Sequence, residues 1–96
     1  MTDRPFVLLT QDHCPACERL ERMLSGPLKG QFTPQIEVVH RQRDPEEFEH
    51  LTRLHAVRST PTLLHRPSAA LLHPTGLSEV HRFFQTRLNG EETGTV

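Results

Sequence analysis

This sequence predicts an α/β fold, a four-stranded mixed sheet flanked by three helices in the order βαβαββα. Three observations carry that prediction. Short apolar runs of strand length alternate with segments whose apolar residues recur at helical spacing. Proline and glycine fall at the boundaries between these segments. The last two strand-like runs are joined by a short turn and form a hairpin, whereas helices separate the earlier ones and demand parallel crossovers.

Phe6-Val7-Leu8-Leu9 is a continuous apolar run, the pattern of a strand buried on both faces. It breaks at Gln11-Asp12-His13. A helix begins at Pro15, because proline suits a first helical position whose N–H would be unpaired anyway. Leu20, Met23 and Leu24 form its apolar stripe, Glu18, Arg19, Glu21 and Arg22 its wet face, and Gly26-Pro27 its end. A loop through Gly30 and Pro34 leads to a second strand, Ile36 to His40.

Asp44-Pro45-Glu46-Glu47 marks the next helix start. Asp44 is the expected cap and Glu47, three residues on, completes a variant of the capping box. Phe48, Leu51 and Leu54 supply the inner face down to Ala56-Val57. Arg58-Ser59-Thr60-Pro61 turns the chain into a short strand, Thr62 to His65, and Arg66-Pro67-Ser68 turns it again into Ala69 to Leu72. After Pro74-Thr75-Gly76, Leu77, Val80, Phe84 and Leu88 mark a last amphipathic helix, closed by Asn89-Gly90.

The 96 residues suffice for one domain, residues 1–90, with residues 91–96 as a flexible C-terminal tail. Apolar residues make up 34% of the chain, without Trp or Tyr, so Leu, Val and five Phe must build the core. Eleven basic and twelve acidic residues are interspersed, giving a net charge of -1. That mixture argues against nucleic acid or a membrane surface as the partner. No apolar stretch approaches the roughly 20 residues that span a bilayer. The run after Met1-Thr2-Asp3-Arg4-Pro5 is also shorter than the core of a signal peptide. A cytoplasmic monomer is expected.

The chain has two cysteines, in the run Cys14-Pro15-Ala16-Cys17. A lone C-x-x-C in a cytoplasmic chain points to redox chemistry or to metal. Cysteines three apart at a helix start face the same side and can close a disulfide with little backbone movement. Cys14 lies at the positive end of the helix dipole, which favours its thiolate, and Cys17 lies one turn inside. Cys14 is therefore the expected nucleophile and Cys17 the resolving thiol. A protonated His13 beside Cys14 would support the thiolate further. Two other readings stand beside this one. Zinc could bind Cys14, Cys17 and one of the seven histidines, in a metal-binding or metal-transfer module. The pair could also be a static disulfide in a non-catalytic interaction domain.

A strand, a loop, C-x-x-C at a helix start, and a Thr60-Pro61 before the third strand together resemble the thioredoxin/glutaredoxin superfamily. The stretch Val57-Arg58-Ser59-Thr60-Pro61-Thr62-Leu63-Leu64 is similar to the thioredoxin segment with its cis-proline. Gly76-Leu77-Ser78-Glu79-Val80 with Phe83-Phe84 resembles the family's last helix. The resemblance implies a thioredoxin-like fold and thiol–disulfide oxidoreductase activity at Cys14 and Cys17, with Pro15 and Ala16 between them and no cofactor. It implies a cis Pro61 facing the dithiol, and Thr60 backbone groups that pair with a substrate strand. It also implies disulfide-containing protein substrates, and as electron donor either an NADPH-dependent thioredoxin reductase-type protein or glutathione. The chain departs from the family in several places. Leu8 stands where thioredoxins place a buried acid, and His13 replaces the usual tryptophan. Gln11 and Asp12 occupy the region of a lysine, and Gly76-Leu77 that of a glycine pair which helps glutaredoxins hold glutathione.

Overall fold

A computed structural model describes residues 4–88. The expected tail, residues 91–96, lies outside the described residues. Strand β1 (Phe6–Thr10) leads to helix α1 (Pro15–Ser25), a 3-10 turn (Thr33–Gln35) and strand β2 (Ile36–His40). Helix α2 (Pro45–Leu54), strands β3 (Thr62–His65) and β4 (Ala70–Leu72), and helix α3 (Leu77–Leu88) follow. The strands form one mixed sheet in the order β2-β1-β3-β4. β1 runs parallel to β2, with Phe6 opposite Ile36, and antiparallel to β3, with Leu9 opposite Thr62. β3 and β4 pair antiparallel across the short turn between them.

The continuous apolar run of β1 is explained by its central place, since all five residues are buried. Successive strand side chains point to opposite faces, so the run feeds two cores. Phe6 and Leu8 join Leu20 and Leu24 of α1 and Val80, Phe83 and Phe84 of α3. Val7 and Leu9 join Val39, Leu64 and Leu51 of α2 on the other face. Aromatic rings tie the first core together. Phe84 stacks on Phe32 with centroids 4.5 Å apart and meets Phe6 edge-on at 4.7 Å.

Four local expectations are corrected. Asp44 makes no side-chain cap to α2. Its carboxylate instead accepts the His40 amide at 3.1 Å, and its own amide donates to the His40 carbonyl at 2.7 Å. The short acid closes the turn out of β2, the familiar competition between turn and cap for such side chains. Leu54 is 64% exposed, because Phe48 and Leu51 already cover the sheet on that side. In α3 the buried face is Val80, Phe83 and Phe84, while Leu77 and Leu88 are exposed. Ala69 adopts a left-handed φ of 61° in the turn, so β4 starts at Ala70.

Two loop residues also belong to the core. Leu28 and Phe32 are buried against α1 and α3, and the segment around them closes into the 3-10 turn.

The reciprocal cap expected at α2 is found in related form at α3. Glu79 reaches back to accept the Thr75 amide at 2.8 Å and its hydroxyl at 2.9 Å. The Thr75 amide first, and then its hydroxyl, hold the carboxyl below its ordinary 4.5. A lowered folded-state value means that the ionised form stabilises the fold. That contribution is complete above the ordinary carboxylate range and is lost as the pH falls through the lowered value. Glu79→Ala should therefore lower the melting temperature modestly at neutral pH. The gap from wild type should close as the pH falls well below 4.5. Melting curves at a series of pH values check this, and a gap that persists in acid would contradict it.

Candidate active site

The site is built where β1 ends and α1 begins. Thr10 closes β1, and its carbonyl accepts the Arg41 amide at 2.9 Å. The Asp12 amide donates to Gln42 Oε1 at 2.8 Å, and the Asp12 carboxylate meets His40 Nε2 at 2.9 Å. His40 Nδ1 accepts the amides of Gln42 and Arg43, so the ring proton lies on Nε2 and is donated to Asp12. These ties hold the 11–13 loop against the end of β2. His13 then takes a left-handed φ of 54°, which turns the chain into the helix.

Cys14 is the N-cap residue of α1, with extended backbone. Its carbonyl accepts the Glu18 amide at 3.1 Å, the first bond of the helix. Pro15 follows at the first helical position, without an N–H to satisfy. Ala16 occupies the next, and Cys17 the third. The Cys17 amide donates to Cys14 Sγ at 3.2 Å. A sulfur thus takes the place of the oxygen that usually caps a helix. Cys14 and Cys17 are joined by a disulfide, with Cα atoms 5.2 Å apart. Cys14 is 8% exposed and Cys17 2%, so the first of the pair is the more accessible.

The turn before β3 faces this disulfide. The Thr60–Pro61 peptide is cis, and Pro61 is buried. The Thr60 carbonyl and Oγ1 lie 3.8 and 3.6 Å from Cys14 Sγ, across 46 residues of sequence. Behind Thr60 the turn is pinned by Thr62, whose hydroxyl donates to the Ser59 carbonyl at 2.7 Å. With its proton committed there, Thr62 Oγ1 accepts from His73 Nδ1 at 3.1 Å. Thr62 and His73 were not legible as site residues, because neither lies near a motif.

α2 delivers the start of that turn. Ala56 is left-handed, with φ 55°, and the Val57 amide bonds back to the Thr52 carbonyl at 2.8 Å. This is the closure that usually employs glycine at a helix end. It folds Val57 onto the second core and sends Arg58 out beside the site.

Two depressions flank the disulfide. One opens on Cys14 and is lined by His13, Pro15, Arg41, Phe48, Val57 and the 58–60 turn. The other touches Cys17 and carries Asp12, Glu18, Glu21, His40 and Arg43. Leu8, in the strand that leads to the disulfide, is buried in the first core. No group of three or more His, Cys, Asp or Glu side chains that could hold a metal ion occurs among the described residues. No helix among them is long and apolar enough to cross a membrane. No family model matches the chain, and no curated protein matches it.

Proposed function

We propose that this protein is a thiol–disulfide oxidoreductase with a thioredoxin-like fold, working through Cys14 and Cys17. The observation that carries the reading is the position of the Cys14 sulfur. It sits at a helix N-terminus, accepts a backbone N–H, and faces Thr60 at the edge of an open groove. A structural disulfide has no need of that setting. A nucleophilic sulfur does, because the helix dipole and the Cys17 amide both favour thiolate over thiol once the pair is reduced.

The reaction starts from the reduced pair. Cys14 thiolate attacks one sulfur of a substrate disulfide, forming a mixed disulfide and breaking the substrate S–S bond. The departing substrate thiolate takes a proton from solvent. Cys17 then loses its proton and attacks Cys14 Sγ, which forms the Cys14–Cys17 bond and releases the second substrate thiolate. Two electrons pass from the dithiol to the substrate. An external dithiol or thiol reductant, of the thioredoxin reductase type or glutathione, returns two electrons to the pair.

In this reading Pro15 and Ala16 keep the two sulfurs within one helical turn. Pro61 and the Thr60 backbone form the wall against which an extended substrate lies. His13 contributes a nearby cation when protonated. Protein disulfides are the proposed substrates, in the cytoplasm.

A trapping experiment tests the reading. Pre-reduced wild-type protein should convert a peptide disulfide to thiols and return with the Cys14–Cys17 bond closed. Pre-reduced Cys17→Ser should stop at a covalent peptide adduct on Cys14, visible by mass and released by excess dithiol. If neither oxidation of the wild type nor an adduct on Cys14 is seen, the protein is not an oxidoreductase of this kind.

A further inference from the structure

The charges around the disulfide are unevenly distributed. The groove opening on Cys14 contains two arginines, Arg41 and Arg58, and no carboxylate. The depression on the Cys17 side contains three carboxylates, Asp12, Glu18 and Glu21, against one arginine, Arg43, and His40. This imbalance exists in a chain whose net charge is only -1. The ion pairs among the described residues are Arg53–Glu49 and Arg66–Glu37, and Asp12 is held by His40, so neither groove arginine is neutralised. Arg41 is nevertheless placed, donating to Gln11 Oε1 at 3.2 Å and lying 6.0 Å over the Phe48 ring. Arg58 stands two residues before Thr60, whose carbonyl and hydroxyl face Cys14.

We infer that the Cys14 groove selects polypeptide disulfides that carry aspartate or glutamate close to the reacting cysteine. The inference rests on the oxidoreductase reading above and adds the substrate class. A substrate strand paired along residues 58–60 advances about 3.3 Å per residue. A carboxylate two positions from its cysteine therefore lies on the same face and reaches the level of Arg58. Arg41 lines the same groove, and Phe48, Val57 and Pro15 offer it apolar surface for the rest of the substrate. Bidentate guanidinium–carboxylate geometry favours acid over amide, and lysine in its place is repelled. The same guanidiniums offset the repulsion between an acidic substrate and the Cys14 thiolate.

Three peptide disulfides, identical except for Glu, Gln or Lys two residues either side of the cysteine, provide the test. Pre-reduced protein is mixed with each, and the second-order rate of thiol release is read. The Glu peptide should react faster than the Gln peptide, and the Lys peptide slowest. Each arginine should account for roughly a two- to fivefold difference, the range of exposed ion pairs. The Glu-to-Lys ratio should shrink in high salt. It should fall in Arg41→Gln and Arg58→Gln and approach one when both are combined. Arg82→Gln, which removes an exposed charge on α3, should leave the ratio intact. Equal rates for the three peptides, or a ratio indifferent to Arg41 and Arg58, would overturn the inference. So would glutathione disulfide reacting about tenfold faster than the Glu peptide, since the groove would then serve a small anionic disulfide. Failure of all the disulfides to react would count against the oxidoreductase reading itself.

Discussion

Cys14→Ser is expected to reduce dithiol-driven insulin reduction to the background rate of the dithiol, with the protein still folded. A serine hydroxyl at this N-cap can accept the Cys17 amide as the sulfur does, so the helix start is preserved. What disappears is the sulfur that faces both Thr60 and the arginine-lined groove. An oxygen there forms no mixed disulfide, and Cys17 is 2% exposed. The stability cost can be bounded. Closing a loop of about four residues is worth roughly 2 kcal/mol in the chain-entropy account of disulfides. That is less than the ~5–15 kcal/mol by which a domain is ordinarily stable. Loss of activity therefore cannot be ascribed to unfolding, and circular dichroism on the same sample checks it. Substantial turnover by Cys14→Ser would remove this residue from the role of nucleophile. The reduced wild type separates the two effects further. It should be less stable than the oxidised form by the same ~2 kcal/mol, yet fully active.

The mixed sheet and the three helices were legible because each is announced by a strong local signal. β1 reads as an uninterrupted apolar run because both its faces are covered, and α1 and α2 both open on proline. Leu28 and Phe32 escaped notice for the opposite reason. They enter the core from a non-periodic segment, so no period of 2 or 3.6 marks them. Leu54 has helical spacing but projects past the edge of what the sheet can cover. Caps are decided by side-chain direction, so Asp44 could satisfy either a turn or a helix and satisfied the turn.

The site divides the same way. Cys14 and Cys17 are local, and helical geometry alone brings them together. Thr60 approaches Cys14 from 46 residues away, and only the resemblance to a family indicated it. Arg41 and Arg58 lie 17 positions apart, on the segments that follow β2 and α2, and share no motif. They meet at one groove because β2 lies beside β1 and because α2 ends in a closure that leaves Arg58 exposed beside Thr60. Pairings of that kind are fixed by topology, and a single sequence carries no local trace of them.

Phe84→Ala should be the most damaging single change to the fold, lowering stability by about 3–5 kcal/mol. Phe84 is fully buried at the centre of the first core. It stacks on Phe32, meets Phe6 edge-on, and lies 6.1 Å from the Phe83 ring. Truncation loses the transfer energy of the ring and leaves a cavity between a helix, a sheet and a loop. Collapse into that cavity is opposed by β1, which is fixed on its other face by the second core. At roughly 0.05–0.15 kcal/mol per residue, the expected loss takes a large fraction of the total stability of a domain of this size. The urea midpoint should fall steeply, and a fraction of the protein should be unfolded at 37 °C without denaturant. Phe84→Leu, which keeps most of the volume, should recover more than half of the loss. The active site lies at the far end of β1 and its loop is tied to β2, Gln42 and His40. Rates normalised to the folded fraction should therefore match wild type at low temperature. A variant whose unfolding free energy stays within about 1 kcal/mol of wild type would show that the ring stack around Phe32 and Phe6 is not the centre of the core.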